Sequence, residues 1–586
     1  MYDKWSLDVF YSGVDDPKIE KDFALLEELQ ARYKSAVLSA DPDKPAESIR
    51  KIIELKEEIS DVTNRLYVYF RLRRSANSGD KEGDPFRSRI QKLMSACTTE
   101  GVKFKNFVGG IANLDAVIKS DDLLSEYEFY LTSLKNSIVH SLGEDGANVF
   151  AKLNPSGGQA WSEQYSYLMS HTEADFLGVK KTLNALQPLI KSASKEERKA
   201  AYEAQLATYP IIKDALAFSM NGIKSQVITE AELRGFASPL EMTLDQYRLK
   251  KETLDAMWAA IIDSFPKFRQ YLKHKAKLLG YENGLPWYEI YAPIGTANTK
   301  KYTPEDAHKY LVEHFSAFSS EMSEMIDRAF KEEWIDFLPR AGKSGGAFCY
   351  GLTWFGEARI LTNFNGNFGA LNTLAHELGH AFHSMQTKNN RQLNRANALP
   401  VSETASNFNE LFLMNGAISR ADGEDKISLI DKFITDSLMI LPDMYTRYKS
   451  EDMIFELRKE RFVYADEIDK ILTDLQKEVY GDALDHDYLY PYVWCDKSHY
   501  YSSGRSYYNF PYSFGGLLAR GLYAKYKKEG EAFIPKYKEL LRTTPIKTVE
   551  EAALVADIDL TDPEFWKLGL ENIYELIDTF IAETSK

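Results

Sequence analysis

Cysteine is scarce in this 586-residue chain: Cys97, Cys349 and Cys495 stand far apart. They compose neither a disulfide framework nor a Cys-rich metal site, and such usage suits a reducing compartment. Apolar residues never run uninterrupted for 18 positions, so no membrane span is expected. With 33 Gly and 20 Pro, the chain is neither collagen-like nor of low complexity. Positive charge is in deficit, since 72 Lys plus Arg face 87 Asp plus Glu, a formal net charge of −15. Phosphate backbones and anionic lipid surfaces demand the reverse, so neither nucleic acid nor membrane is expected as a partner. The residues before Pro17 hold four Asp and no apolar run, so a secretory leader is not expected. These absences together predict a cytoplasmic globular protein.

What is present is a large apolar fraction, 44% hydrophobic and 13% aromatic, ample for a sizeable core. Most of the chain reads as helix. Residues 18–40 place Phe23, Leu25, Leu26, Leu29 and Tyr33 at helical spacing, and 45–75 repeat the pattern from Ile49 to Val68 behind Pro45. Further amphipathic stretches lie at 84–100, 121–143, 174–192, 195–208 and 210–230. Between about 284 and 370, aromatics, β-branched residues and glycines predict a few short strands and turns instead. A boundary near 200–210 is expected to divide an N-terminal helical region, 1–205, from a catalytic part, 206–586.

The chemistry concentrates in His376-Glu377-Leu378-Gly379-His380, an H-E-x-x-H. With 10 His in the chain, chance would give this pattern in at most roughly one such sequence in 40. Leu371, Leu374, Ala375, Leu378, Ala381, Phe382 and Met385 form one apolar helical stripe, and His376, His380 and His383 are expected to face away from it. Two imidazoles one turn apart can share a zinc ion, with Glu377 beside them as the base acting on its water. A third ligand is required. The class with H-E-x-x-H-x-x-G-x-x-H is excluded, because His383 and Gln386 occupy the Gly and His positions. No acidic residue occurs from Ala381 to Ser402, and the first is Glu403, behind Pro400 on an expected helix from Val401 to Ala417. Glu403, Asn407 and Glu410 share its polar face, so Glu403 is the expected ligand, with Asn407 or Glu410 orienting an imidazole. A second concentration, five Tyr and one His within residues 499–512, exceeds what a core needs and offers neutral donors for a developing oxyanion.

HELGHAFH (376–383), VSETASNF (401–408) and the Tyr-rich stretch after His499 resemble the M3 zinc metallopeptidases of the oligoendopeptidase F type. AELRGFASPLE (231–241), GGAFCYG (345–351) and TNFNG (362–366) resemble that branch too. The resemblance spans about 200–586. It implies a mainly α, two-lobed helical shell around a deep channel, with a small sheet near the zinc site. It implies one zinc per chain on His376, His380 and Glu403, Glu377 as general base, and His499, Tyr508 and Tyr512 as substrate and transition-state donors. The stretch from His499 to Gly515 is longer by about two residues than the branch pattern, so Tyr501 and Tyr507 are further candidates. The expected function is zinc-dependent hydrolysis of internal bonds in short oligopeptides, a strand within Ala358–Phe364 pairing with the substrate backbone. The alternatives are a helical zinc carboxypeptidase and a non-catalytic helical peptide-binding protein.

Overall fold

A computed structural model describes residues 4–295 and 300–586. The chain is mainly α. The helices used below are α1 (Pro17–Leu38), α2 (Pro45–Ala76), α3 (Lys195–Leu233), α4 (Lys251–Leu278), α5 (Phe368–Gln386), α6 (Thr404–Arg420), α7 (Gly423–Ile440), α8 (Pro442–Glu460), α9 (Phe510–Glu529), α10 (Phe533–Thr543) and α11 (Pro563–Thr584). The first two match the apolar periodicity closely, and each starts with Pro at its first turn, where a missing N–H costs nothing.

Several segments depart from the periodicity: 84–100 divides at Ala96 and Cys97, and 121–143 into Asp122–Glu126 and Glu128–Asn136. Residues expected as one helix at 174–192 form a hairpin, β1 (Glu173–Phe176) with β2 (Val179–Thr182), then a short helix Leu183–Leu186 and a 3₁₀ turn Gln187–Lys191. The reason is the turn, where Leu177 and Gly178 both take positive φ and the Gly178 amide donates to Asp175 Oδ1 at 2.9 Å. Conversely, the two helices expected at 195–208 and 210–230 are one, α3, running through Pro210. Buried Tyr209, Ile212, Leu216 and Met220 hold that face in the core, and the burial outweighs the lost backbone hydrogen bond.

The buried apolar residues fall into two cores. One gathers Trp5 to Leu131 together with Leu352 and Leu361, and the other runs from Tyr165 to Phe580. The cores therefore part between residues 131 and 165, while positions 205 and 206 lie inside α3. Between the cores stands a three-stranded sheet of order β3-β5-β4: β3 (Ile335–Asp336) parallel to β5 (Glu357–Leu361), and β4 (Phe348–Leu352) antiparallel to it. Strand alternation lets β5 serve both sides: Ala358 and Ile360 join the larger core and Leu361 the smaller. Because β5 is paired on both edges, it has no free edge for a substrate strand, which corrects the expectation for Ala358–Phe364. The outer edge of β4 has no strand partner among the described residues.

Candidate active site

The helix that carries H-E-x-x-H, α5, is capped by Asn367, whose Oδ1 accepts from the Ala370 amide at 2.8 Å. Its partner is α6, and Gly379 sets their separation. A Cβ there would lie 2.5 Å from the Ala405 carbonyl oxygen and 2.6 Å from Ser406 Cα, so no larger residue allows the approach. The expected continuous helix from Val401 is broken: a turn of helix spans Leu399–Ser402, and Glu403 stands between it and α6 with φ −93° and ψ 5°. At this joint Glu403 Oε2 comes within 3.3 Å of His376 Nε2 and 3.2 Å of His380 Nε2. One donor atom each from His376, His380 and Glu403 lie within 4.8 Å of one another. Two imidazoles and a carboxylate at that spacing, open on one side to a cavity of about 380 Å³, fit a zinc ion that keeps a free coordination position.

Electrostatics describe a cluster crowded with acid. Burial disfavours the His376 imidazolium, but Glu403 and Glu410 outweigh it and raise its pKa to about 10. Burial pushes Glu403 up, yet contacts from His376 and His380 reverse this and hold it well below the usual carboxylate range. Glu410 Oε1 lies 3.3 Å from His376 Nδ1, so of the two residues considered for orienting an imidazole, Glu410 is the one in contact. Asn407 instead borders Gly515 of α9. Glu377 is 5% exposed, and burial raises its pKa against the opposing pull of His376 and His380. It lines the same cavity as Ala347, Phe348 and Cys349 of the β4 region.

His383 borders the same cavity but stands outside the donor set of His376, His380 and Glu403. It is buried, with Nε2 2.9 Å from Thr544 Oγ1 and 3.2 Å from the Leu541 carbonyl, because α10 and the residues after it cover that flank of α5. Burial lowers its pKa to about 4, so it is a neutral core histidine. The apolar stripe is thus wider than the helical wheel indicates.

The Tyr-rich stretch divides in two. Tyr501 is buried and stacked on Tyr165 at 4.0 Å. Tyr507 is also buried, at φ +53°, with its amide donating to Glu451 Oε1 at 3.2 Å. His499, Tyr508 and Tyr512 instead form a ring triangle with centroids 5.4 to 5.6 Å apart. Burial lowers the His499 pKa to about 4, leaving a neutral imidazole. Burial chiefly raises Tyr512, with Tyr508 and the nearby Glu403 charge adding to it. Gly515 brings α9 to this place: a Cβ there would sit 3.2 Å from Glu403 Cβ. The sequence carried no signal for Glu451, which holds the loop before α9, since a lone Glu on a helix has no distinguishing pattern.

Comparison with known proteins bears on the family and the fold. Residues 189–544 match the model of Peptidase family M3. Oligopeptidase PepF of Bacillus subtilis is 22% identical over 595 residues, covering 98% of this chain and 86% of the relative. A Chlamydophila abortus protein of known structure superposes with a TM-score of 0.82 at 18% identity, over 98% of both chains. Oligoendopeptidase-F from Enterococcus faecium does so with a TM-score of 0.71 at 16% identity, over 97% of this chain and 99% of that one. The family match covers more than half of the chain, and on that footing this protein belongs to peptidase family M3, in its oligoendopeptidase F branch.

Proposed function

We propose that this peptidase is a zinc-dependent endopeptidase that cuts internal bonds of short oligopeptides. The observation that carries the reading is the buried Glu377 carboxylate beside the His376, His380 and Glu403 donor set, on a shared cavity. A zinc ion bound there supplies Lewis acidity and lowers the pKa of a water towards about 7. Glu377, its proton affinity raised by burial, takes the proton of the attacking water and delivers it to the leaving amine. Tyr508, Tyr512 and neutral His499 donate to the carbonyl oxygen as charge develops on it. Glu410 keeps the His376 ring oriented through Nδ1. The outer edge of β4, whose residues line the Glu377 cavity, offers an extended peptide a strand to pair with, in place of β5.

The cytoplasmic setting inferred from cysteine usage belongs to this proposal; no helix among the described residues is long and apolar enough to cross a membrane. Peptides blocked at both ends, in a series of increasing length, test the reading. Internal cleavage that stops with chelator and returns with zinc is expected. Release of single residues from free C-termini only would favour a carboxypeptidase. Zinc binding with no hydrolysis would favour a peptide-binding protein.

A further inference from the structure

A second cavity, of about 780 Å³, adjoins the metal-centre cavity, with Ala347 lining both and Glu410 standing between His376 and this space. Its charges do not cancel in place. Lys432 is spoken for by Asp436 at 2.7 Å, and Glu410 is engaged by His376. Two cations remain that have no carboxylate within 4 Å among the described residues: Arg520 of α9 and Lys191, at the end of the 3₁₀ turn before α3.

Arg520 is the more telling. It is 9% exposed, yet a buried guanidinium ordinarily faces a carboxylate, because removing the charge from water is costly. Here Nη1 donates to the Gly516 carbonyl at 3.0 Å, Nη2 to Ser437 Oγ at 2.8 Å, and Nε has no acceptor. The Phe433 ring lies 5.3 Å from Cζ. Burial lowers its pKa to about 10 against the more distant Glu410 and Asp436, which leaves a full cation at neutral pH. Two carbonyl-type or hydroxyl acceptors orient the fork without neutralising it. Lys191, from the other side of the chain, holds its ammonium 4.9 Å over the Tyr291 ring, which is neutral too.

We propose that Arg520 binds a carboxylate of the peptide substrate in this cavity, whose wall Lys191 also lines as a second positive charge, making the enzyme selective for peptides that present one at a fixed distance from the cut bond. The inference rests on the endopeptidase reading above. The shared chemistry is a carboxylate, whether the free C-terminus or an Asp or Glu side chain. A carboxylate on Arg forms charge-assisted hydrogen bonds that a neutral amide does not match.

The test uses three N-blocked peptides of one core sequence: a C-terminal acid, its amide, and the amide with one Gln replaced by Glu. Each is titrated calorimetrically into zinc-loaded Glu377→Gln protein, and each is digested by the zinc-loaded wild type. Binding of at least one carboxylate peptide is expected to exceed that of the neutral amide by about 10-fold or more, with KM carrying the difference. Arg520→Met is expected to erase that ratio, Arg520→Lys to retain part of it, and Lys191→Met to reduce it. Preference for the acid alone assigns the C-terminus, and preference for the Glu peptide alone assigns a side chain. Equal binding of all three peptides by the wild-type site, or an unchanged ratio in a folded Arg520→Met protein, overturns the proposal. If none is digested, the endopeptidase reading fails, while the calorimetric ratio still decides the carboxylate site.

Discussion

Two groups of buried charge in this protein are built in opposite ways. Lys224 of α3 and Glu451 of α8 are fully buried and meet at 2.5 Å, and Glu451 also takes the Tyr507 amide and the Asn509 side-chain amide at 3.0 Å. Both carboxylate oxygens of Glu451 have their donors, so the ion pair is closed. Around His376 and His380, by contrast, Glu377, Glu403 and Glu410 converge with too few donors among them, and the group opens onto a cavity. Closed charge ties helices and loops together; the open group is the one proposed above to hold a cation and pass protons. The same contrast separates Tyr501 and Tyr507, sealed in the core, from Tyr508 and Tyr512 at the site.

The sharpest way to break this contrast is at the open group. Glu377→Gln is expected to lower turnover by about 10⁴-fold while zinc content, measured by metal analysis, stays near one per chain. Near-normal turnover in that variant would remove Glu377 from the chemistry. At the closed group the loss is one of stability. Glu451→Ala leaves Lys224 buried without its partner and is expected to cost about 3–5 kcal/mol in denaturant unfolding. An unfolding midpoint equal to that of the wild type would mean water reaches the pair. The tyrosines come next: Tyr512→Phe is expected to lower kcat by about 10²–10³-fold with little change in KM, whereas Tyr501→Phe leaves kcat near that of the wild type. Equal effects from both would dissolve the distinction between core and site.

The smallest effect concerns a buried group that must stay neutral. Burial lowers His314 to about 4, against a hydrogen bond to the Phe412 carbonyl at 3.1 Å. The unfolded chain, with an ordinary His near 6.5, then binds more protons than the folded one between these values. Stability from this residue is complete above about pH 6.5, declines as pH falls towards 4, and is level below, a total of about 3 kcal/mol. Urea midpoints from pH 7 to 4 should show that slope in the wild type and a shallower one in His314→Gln. Parallel slopes would exclude it.

The grouping of His376, His380 and Glu403 was legible because its elements are local or conspicuously isolated. H-E-x-x-H is a one-turn repeat, and the acid-free stretch before Glu403 left that residue alone in its neighbourhood. The helical class followed from periodicity for similar reasons. What escaped depends on contacts between distant segments. No periodicity shows that α10 will cover His383, that β5 will be paired on both edges, or that Pro210 will sit inside an unbroken α3. The hairpin at 173–182 was missed because its short strands carry apolar residues at a spacing a helix shares, and Leu177 hides the turn. The break at Glu403 is likewise tertiary in origin, a joint created where α5 and α6 touch through Gly379.

The contact of Gly515 with Glu403 has one more implication. It acts as a fixed datum for α9, so Tyr512, one turn earlier on the same helix, takes its position partly from the Glu403 joint. The segment between His499 and Tyr508 is held as well, because Tyr501 stacks on Tyr165 and the Tyr507 amide donates to Glu451 Oε1. A redesign of α9 should therefore leave residue 515 without a side chain and keep both of these anchors.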